Sequence, residues 1–165
     1  MAGFHTKTFL KHDDYCTPKY VWENISEIIP KDMKIWECFY CDGLSGTYLR
    51  DIGGKDVIHE PIDFFEYVDK LEFDIIISNP PFSLRRKILE KLIVIDKPFI
   101  LTLFPIVLSC KWFLDLFGNE KLQLIIPKRR SKCYNPTLNK INYTPPNGMF
   151  YFCYKMNLPN DLIFI

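Results

Sequence analysis

The sequence predicts an α/β fold built on a mainly parallel sheet. Three observations predict it. Apolar runs of strand length alternate with helical periodicity from residue 18 to residue 126. Turns rich in glycine, proline or asparagine punctuate those runs. The last two apolar runs have no helical pattern between them, so they are expected to pair antiparallel at the sheet edge. The chain has 165 residues, which is one domain with room for a sizeable core.

Residues 1–13 read as a loose N-terminal arm. Thr17 is then an N-cap and Pro18 the first position of a helix carrying Val21, Trp22, Ile25, Ile28 and Ile29, which Pro30 ends. Residues 34–39 form a first strand. The loop Asp42-Gly43-Leu44-Ser45-Gly46 leads to a short helix with Tyr48, Leu49 and Ile52, stopped by Gly53-Gly54. Residues 56–60 form a second strand, and Asp63 caps a helix with Phe64, Phe65, Val68 and Leu71. Residues 73–78 are strongly apolar and form a third strand. It must stop at Asn79-Pro80-Pro81-Phe82, because a Pro-Pro pair offers no N–H to a ladder. Helix 85–95 follows, with Ile88, Leu89, Leu92 and Ile93 on one face. Then come strand 99–104, helix 107–117 closed by Gly118, and strands 122–126 and 149–154. Residues 127–148 read as a basic loop.

Composition excludes several classes. The apolar fraction of 48% and charged fraction of 25% are those of a globular protein rather than a disordered chain. The longest apolar stretches are too short or too interrupted to span a bilayer, so no membrane partner is expected. The first fifteen residues carry Lys7, Lys11, Asp13 and Asp14 without an apolar run, which is not a signal peptide. An intracellular, cytoplasmic location is expected. The six cysteines lack the dense spacing of a disulfide scaffold, which favours a reducing compartment. Cys38-x-x-Cys41 has no second pair to complete a zinc site and does not open a helix like a redox motif, so no metal is expected. Charge is asymmetric: residues 111–165 carry eight Lys and Arg against three acids, whereas the first 110 are net acidic. That suits a polyanion partner, or simply a solvated face.

Ligands of such sheets bind beyond the carboxyl ends of the strands. After the first strand, Glu37 and a Gly-x-x-Gly loop precede a helix, an arrangement that suits a polar ligand or a plain helix-entry turn. After the third, Asn79 brings a side-chain acceptor, the prolines leave nearby carbonyls free, and Phe82 brings an aromatic face. This set suits a planar molecule bearing an amino group, or a plain strand-ending turn.

Asn79-Pro80-Pro81-Phe82 after an apolar strand resembles the catalytic motif of S-adenosylmethionine-dependent amino-methyltransferases. Asp14-Tyr15-Cys16-Thr17-Pro18 resembles the N-terminal cofactor motif of DNA adenine N6-methyltransferases, especially the small phage and large-virus forms. Trp36-Glu37-Cys38-Phe39 with Gly43 and Gly46 stands where that family has its cofactor loop, and Glu60 with Asp63-Phe64-Phe65 follows the second strand as in the family. The resemblance covers roughly residues 13–155.

The resemblance implies a Rossmann-like, seven-stranded sheet with an antiparallel last strand. It implies S-adenosylmethionine bordered by Tyr15, Thr17, Pro18, Glu37, Phe39, Gly43, Glu60, Asp63 and Phe64. Glu60 would serve the ribose hydroxyls, Asp63 the adenine amine, and Tyr15 and Thr17 the methionine end. Asn79, Pro80 and Phe82 would be catalytic. The cofactor loop is longer and poorer in glycine than the family pattern, and the chain has no room for a separate target-recognition domain.

The partner implied is DNA, with RNA as the alternative. Lys128, Arg129, Arg130 and Lys132, with Tyr134, Lys140 and Tyr143 beyond, mix cations with aromatics as phosphates and unstacked bases require. A solvated hairpin would look the same. Arg85 and Arg86 are further candidates. Cytosine N4, RNA or a protein glutamine remain alternative substrates, and an inactive nucleic-acid-binding subunit is an alternative of another class. Oligomeric state is left open.

Overall fold

Four consecutive residues, Ile75 to Ser78, are buried without a break, the pattern of a strand covered on both faces. They lie in the middle of the sheet of the computed structural model, which describes residues 13, 15–118, 120–135, 140–143 and 148–165. The strands are β1 (Lys34–Trp36), β2 (Asp56–Ile58), β3 (Ile75–Ser78), β4 (Phe99–Leu103), β5 (Leu122–Ile126), β6 (Cys133–Asn135), β7 (Lys140–Tyr143), β8 (Phe150–Tyr154) and β9 (Leu162–Phe164). The helices are α1 (Lys19–Glu23), α2 (Ser45–Asp51), α3 (Phe64–Tyr67), α4 (Arg85–Ile95) and α5 (Lys111–Phe117). Seven strands make one Rossmann-like sheet in the order β2-β1-β3-β4-β8-β5-β9. β8 is antiparallel to both its neighbours, and the other pairings are parallel.

Period-two alternation divides the core between two faces. Ile35, Ile75, Ile77, Ile100 and Tyr151 pack with Val21, Trp22 and Leu49, below α1 and α2. Trp36, Ile76, Phe99, Leu101 and Phe152 pack with Phe64, Ile88, Leu92 and Phe113, from α3, α4 and α5. Among the described residues no helix is long and apolar enough to cross a membrane.

The structure departs from the sequence reading in several places. The helix read up to Pro30 is α-helical only over Lys19–Glu23, with turns over residues 24–28. The antiparallel strand β8 is not at the edge: it lies between β4 and β5, and β9 covers β5 in parallel register, Ile125 opposite Ile163. Only Ile163 of β9 is even half-buried, and the strand is a three-residue apolar run, too short for its periodicity to mark it. Residues 127–148 are not only a loop, because β6 and β7 pair as a hairpin. The helix read over 107–117 is a 3₁₀ turn, Pro105–Ser109, followed by α5, with Cys110 extended between them. Finally, Asp13 is buried rather than part of a loose arm. The rest of that arm and Asp14 lie outside the described residues, as do the side chains of Lys140 and Tyr143.

Candidate active site at the sheet switch point

From β1 the chain winds outward to β2, then crosses back to β3 on the other side of β1. The carboxyl ends of β1 and β3 therefore flank the switch point, where open α/β sheets bind ligands. Glu37 follows β1, His59 follows β2, and Ser78 and Asn79 close β3.

Asn79 is half-buried, and its Nδ2 donates to Thr17 Oγ1 at 2.8 Å. Its Oδ1 is buried and has no hydrogen-bond partner among the described residues. A buried acceptor left unmet costs roughly 1–3 kcal/mol, so the atom is able to take a further donor. Pro80 and Pro81 are buried, and the Pro81 carbonyl accepts from Leu84 N at 3.1 Å to start α4. The Phe82 ring is half-buried, with its centroid 4.1 Å from that of Phe104. Arg85 Nη1 donates to the Phe82 carbonyl at 2.5 Å, which ties this guanidinium to the turn. Arg86 is exposed and paired with Glu90 at 2.8 Å on its own helix.

The segment Asp13 to Pro18 runs across these strand ends. Asp13 accepts from both the backbone N–H and the hydroxyl of Ser83, just past the Asn79 turn. Cys16 exchanges two backbone hydrogen bonds with Tyr134, at 2.7 and 3.1 Å, and so joins β6. Cys16 is also disulfide-bonded to Cys41, with Cα atoms 5.8 Å apart. The spacing of the cysteines gave no hint of this bond, because the partner is 25 residues away. The Cys38-x-x-Cys41 pattern is thus neither a redox pair nor half of a zinc site: Cys38 is a buried free thiol, pushed well above the usual thiol range by burial and then by the Glu37 charge. Thr17 does not cap α1. Pro18 occupies the N-cap position without a side-chain cap bond, and the Thr17 hydroxyl is turned to Asn79.

Glu37 sits inside the protein against Ser78 and His59. It is 1% exposed; Ser78 Oγ donates to its Oε1, and His59 Nδ1 lies 2.5 Å from its Oε2. Three strand ends are tied through one carboxylate. His59 Nδ1 also lies 3.1 Å from the Glu37 carbonyl, so this nitrogen faces two acceptors and carries the proton. Burial works to lower the His59 pKa, but the Glu37 carboxylate and carbonyl outweigh it and hold the pKa above the ordinary value. His59 Nε2 is buried with no protein partner. The sequence reading missed His59; its only signal was a titratable residue directly after a parallel strand. The glycine of the loop has its reason here: a Cβ on Gly46 would sit 2.5 Å from the His59 Cβ. Gly43 turns the chain at φ +81° beneath the Tyr40 hydroxyl, and the Tyr40 ring stacks on His59 at 4.7 Å.

Other sequence-predicted contacts lie at varied depths. Glu60 is exposed beyond β2. Asp63 caps α3, its Oδ1 accepting from Phe65 N at 2.8 Å and Glu66 N at 3.2 Å, as the sequence predicts. Phe39 and Phe64 are core residues, 5.5 Å apart, with Phe64 also stacked on Trp36. Tyr15 is half-buried on the crossing segment.

Lys128, Arg129, Arg130 and Lys132 are all exposed. They line a cleft of roughly 610 Å³ together with Tyr20, Asn24, Pro127 and Ile165. Lys132 N donates to the Tyr20 hydroxyl at 2.5 Å, which fastens the loop to the start of α1. β5 runs parallel to β4 through the shared neighbour β8, so this loop leaves the sheet at the same end as the Asn79 turn.

No known family model matches the chain, and no curated protein sequence matches it. Solved structures similar to it include precorrin-6y C5,15-methyltransferase from Geobacter metallireducens GS-15, with 11% identity and a TM-score of 0.49 over 88% of this chain and 96% of that one. Another is a possible methylase from Clostridium difficile 630, with 16% identity and a TM-score of 0.33. That match covers 84% of this chain and 36% of the other, so the chain spans about a third of its length.

Proposed function

We propose that this protein transfers a methyl group from S-adenosylmethionine to the exocyclic N6 amine of adenine in DNA. The observation that carries the reading is Asn79 Oδ1, a buried acceptor without a partner at the switch point of a parallel sheet. An aromatic amine is a poor nucleophile because its lone pair is delocalised into the ring. Asn79 Oδ1 and the Pro80 carbonyl would accept its two N–H bonds and favour a pyramidal nitrogen with a localised lone pair. Phe82 offers a face for a base taken out of the stack. S-adenosylmethionine would supply an already activated methyl, and the chain would supply position and electrostatics.

The residues present fit such a cofactor best at the end of β2. Glu60 is an exposed acid there, suited to a ribose diol, and His59 Nε2 is a buried atom in want of a partner. Asp63 would add a second acid, although its Oδ1 already holds α3. Glu37 Oε1 is taken by Ser78, whereas its buried Oε2, beside His59 Nδ1, makes no hydrogen bond among the described residues and could still accept from a ligand.

The test is incubation with isotope-labelled cofactor and separate pools of DNA, RNA and protein, followed by digestion to identify the methylated unit. N6-methyladenine from DNA supports the reading. Label in RNA, cytosine or glutamine redirects the substrate, and cofactor binding without transfer, or none at all, removes the activity.

The basic loop is the proposed phosphate contact. Changing Lys128, Arg129, Arg130 and Lys132 to Ala should weaken DNA binding regardless of sequence. The slope of log affinity against log salt should flatten by about 0.9 per lost duplex phosphate contact. Anisotropy titrations at several salt concentrations measure it, and an unchanged slope would assign the four cations to a solvated face.

A further inference from the structure

The cleft between α1 and residues 127–132 combines three kinds of group. The first is unpaired positive charge. Elsewhere on the surface Lys19, Lys55, Lys111 and Lys155 each pair with a carboxylate. Lys128, Arg129, Arg130 and Lys132 pair with none among the described residues, and no acidic side chain lines the cleft with them. The second is a fixed aromatic ring. Tyr20 is 39% exposed, and Lys132 uses both hydrogen-bonding capacities of its hydroxyl, which accepts from Lys132 N at 2.5 Å and donates to the Lys132 carbonyl at 3.2 Å. The third is an oriented amide. The Tyr151 hydroxyl donates to the Val21 carbonyl at 2.6 Å, so its one proton is committed and it accepts from Asn24 Nδ2 at 3.4 Å. Asn24 Oδ1 is the end left to accept from a ligand.

Cations for phosphate, a ring for stacking and an acceptor for an exocyclic amine together recognise a nucleotide. Stacking decides its state. In a duplex the neighbouring pairs cover each base, so only an unpaired strand brings a base face to Tyr20. The volume of roughly 610 Å³ suits a molecule of nucleotide size, not a double helix. The cleft is also close to the Asn79 turn. Tyr20 follows Thr17 by three residues, so their Cα atoms are at most about 11 Å apart, and Thr17 is hydrogen-bonded to Asn79.

We propose that this cleft binds an unpaired nucleotide of the DNA strand whose target base enters at Asn79. Its phosphates lie on Lys128, Arg129, Arg130 and Lys132, and its base lies on Tyr20. The inference rests on the methyl-transfer reading for the identity of the strand, and it makes single-stranded DNA the preferred form.

The test is anisotropy without cofactor, using a fluorescein-labelled DNA strand of mixed sequence, alone and annealed to its complement. The single strand should bind about tenfold tighter or more, on the scale of one stacked base. Tyr20→Leu should lose about that factor for the single strand and nothing for the duplex, whereas Tyr20→Phe keeps the ring and most of the affinity. Thermal unfolding checks that both variants fold. A duplex bound as tightly as the single strand overturns the proposal. So do equal losses in the two variants, which would leave Tyr20 as an anchor of the loop. Deoxyadenosine monophosphate binding as tightly as the strand would make this a free-nucleotide site, and tighter binding of single-stranded RNA would replace DNA; either overturns the proposal. One readout needs no variant: irradiating the parent with a strand carrying 5-bromodeoxyuridine should cross-link it to the peptide containing Tyr20, and cross-links confined to other peptides overturn the assignment. A parent that methylates nothing would remove the functional reading while leaving the cleft to be judged on binding alone.

Discussion

Asn79→Ala is expected to lower methyl transfer by about a hundredfold or more while cofactor affinity stays within a few fold. The scale is that of removing one preorganised hydrogen-bonding group at a reacting centre. The direction follows from the geometry. Oδ1 has no hydrogen-bond partner among the described residues, so its removal breaks no contact seen there, whereas Nδ2 loses its bond to Thr17. The expected signature is a large loss of rate in a protein with a near-parental melting temperature. Single-turnover transfer and calorimetric cofactor binding, run on the same preparation, separate the two quantities. A variant that turns over at the parental rate would make the Asn79 turn purely structural. Phe82→Ala should be milder, because stacking of one base contributes roughly 1–3 kcal/mol and Phe82 already leans on Phe104.

Glu37→Ala should destabilise the protein by about 3–5 kcal/mol, the range for breaking a buried ionic pair by removing one partner. The variant leaves the buried His59 ring and the Ser78 hydroxyl without their shared acceptor. The loss should depend on pH with a defined sign. His59 has a folded-state pKa raised above its unfolded value of about 6.5, so the native state binds the proton more tightly than the unfolded one. That contribution is fully present below the unfolded pKa and is lost as pH rises through the folded pKa. The gap in stability between parent and Glu37→Ala should therefore be wider near pH 6 than well above the folded pKa. Urea unfolding at several pH values checks it, and a gap that widens with rising pH would contradict the assigned pairing.

The parallel core was legible in the sequence because strands buried on both faces write themselves as apolar runs, as the burial of Ile75, Ile76 and Ile77 shows. The cap at Asp63 was legible because a helix N-terminus is a local event over three residues. The Asn79 turn stood out because two prolines forbid a ladder. What could not be read is every partnership between distant residues. Thr17 looked like an N-cap because nothing nearby reveals an amide arriving from β3. Glu37 stood out as a strand-end acid, but the sequence does not show that His59 and Ser78 arrive beside its carboxylate. The Cys38-x-x-Cys41 spacing was read as neither a zinc site nor a redox pair, but nothing in it shows the bond from Cys41 to Cys16. β9 escaped because Leu162–Phe164, although all apolar, is a run of only three residues, too short for a period to show.

The crossing segment also sets an order of assembly. Its contacts span long stretches of chain: 62 residues from Thr17 to Asn79, 70 from Asp13 to Ser83, and 112 from Tyr20 to Lys132. Each closure loses chain entropy before any contact compensates it, and wide closures are slow. Thr17 is synthesised well before Asn79 and longer still before Tyr134, so the segment must wait for strands that do not yet exist. The Cys16–Cys41 bond, at 25 residues, is the shortest of these closures and can form first. The sheet centre should therefore gain protection before the site does. In pulse-labelled hydrogen exchange during refolding, the β3 and β4 amides are expected to be protected ahead of the Cys16 and Tyr134 amides. Simultaneous protection would mean that the Asn79 turn and its clasp form with the nucleus rather than after it.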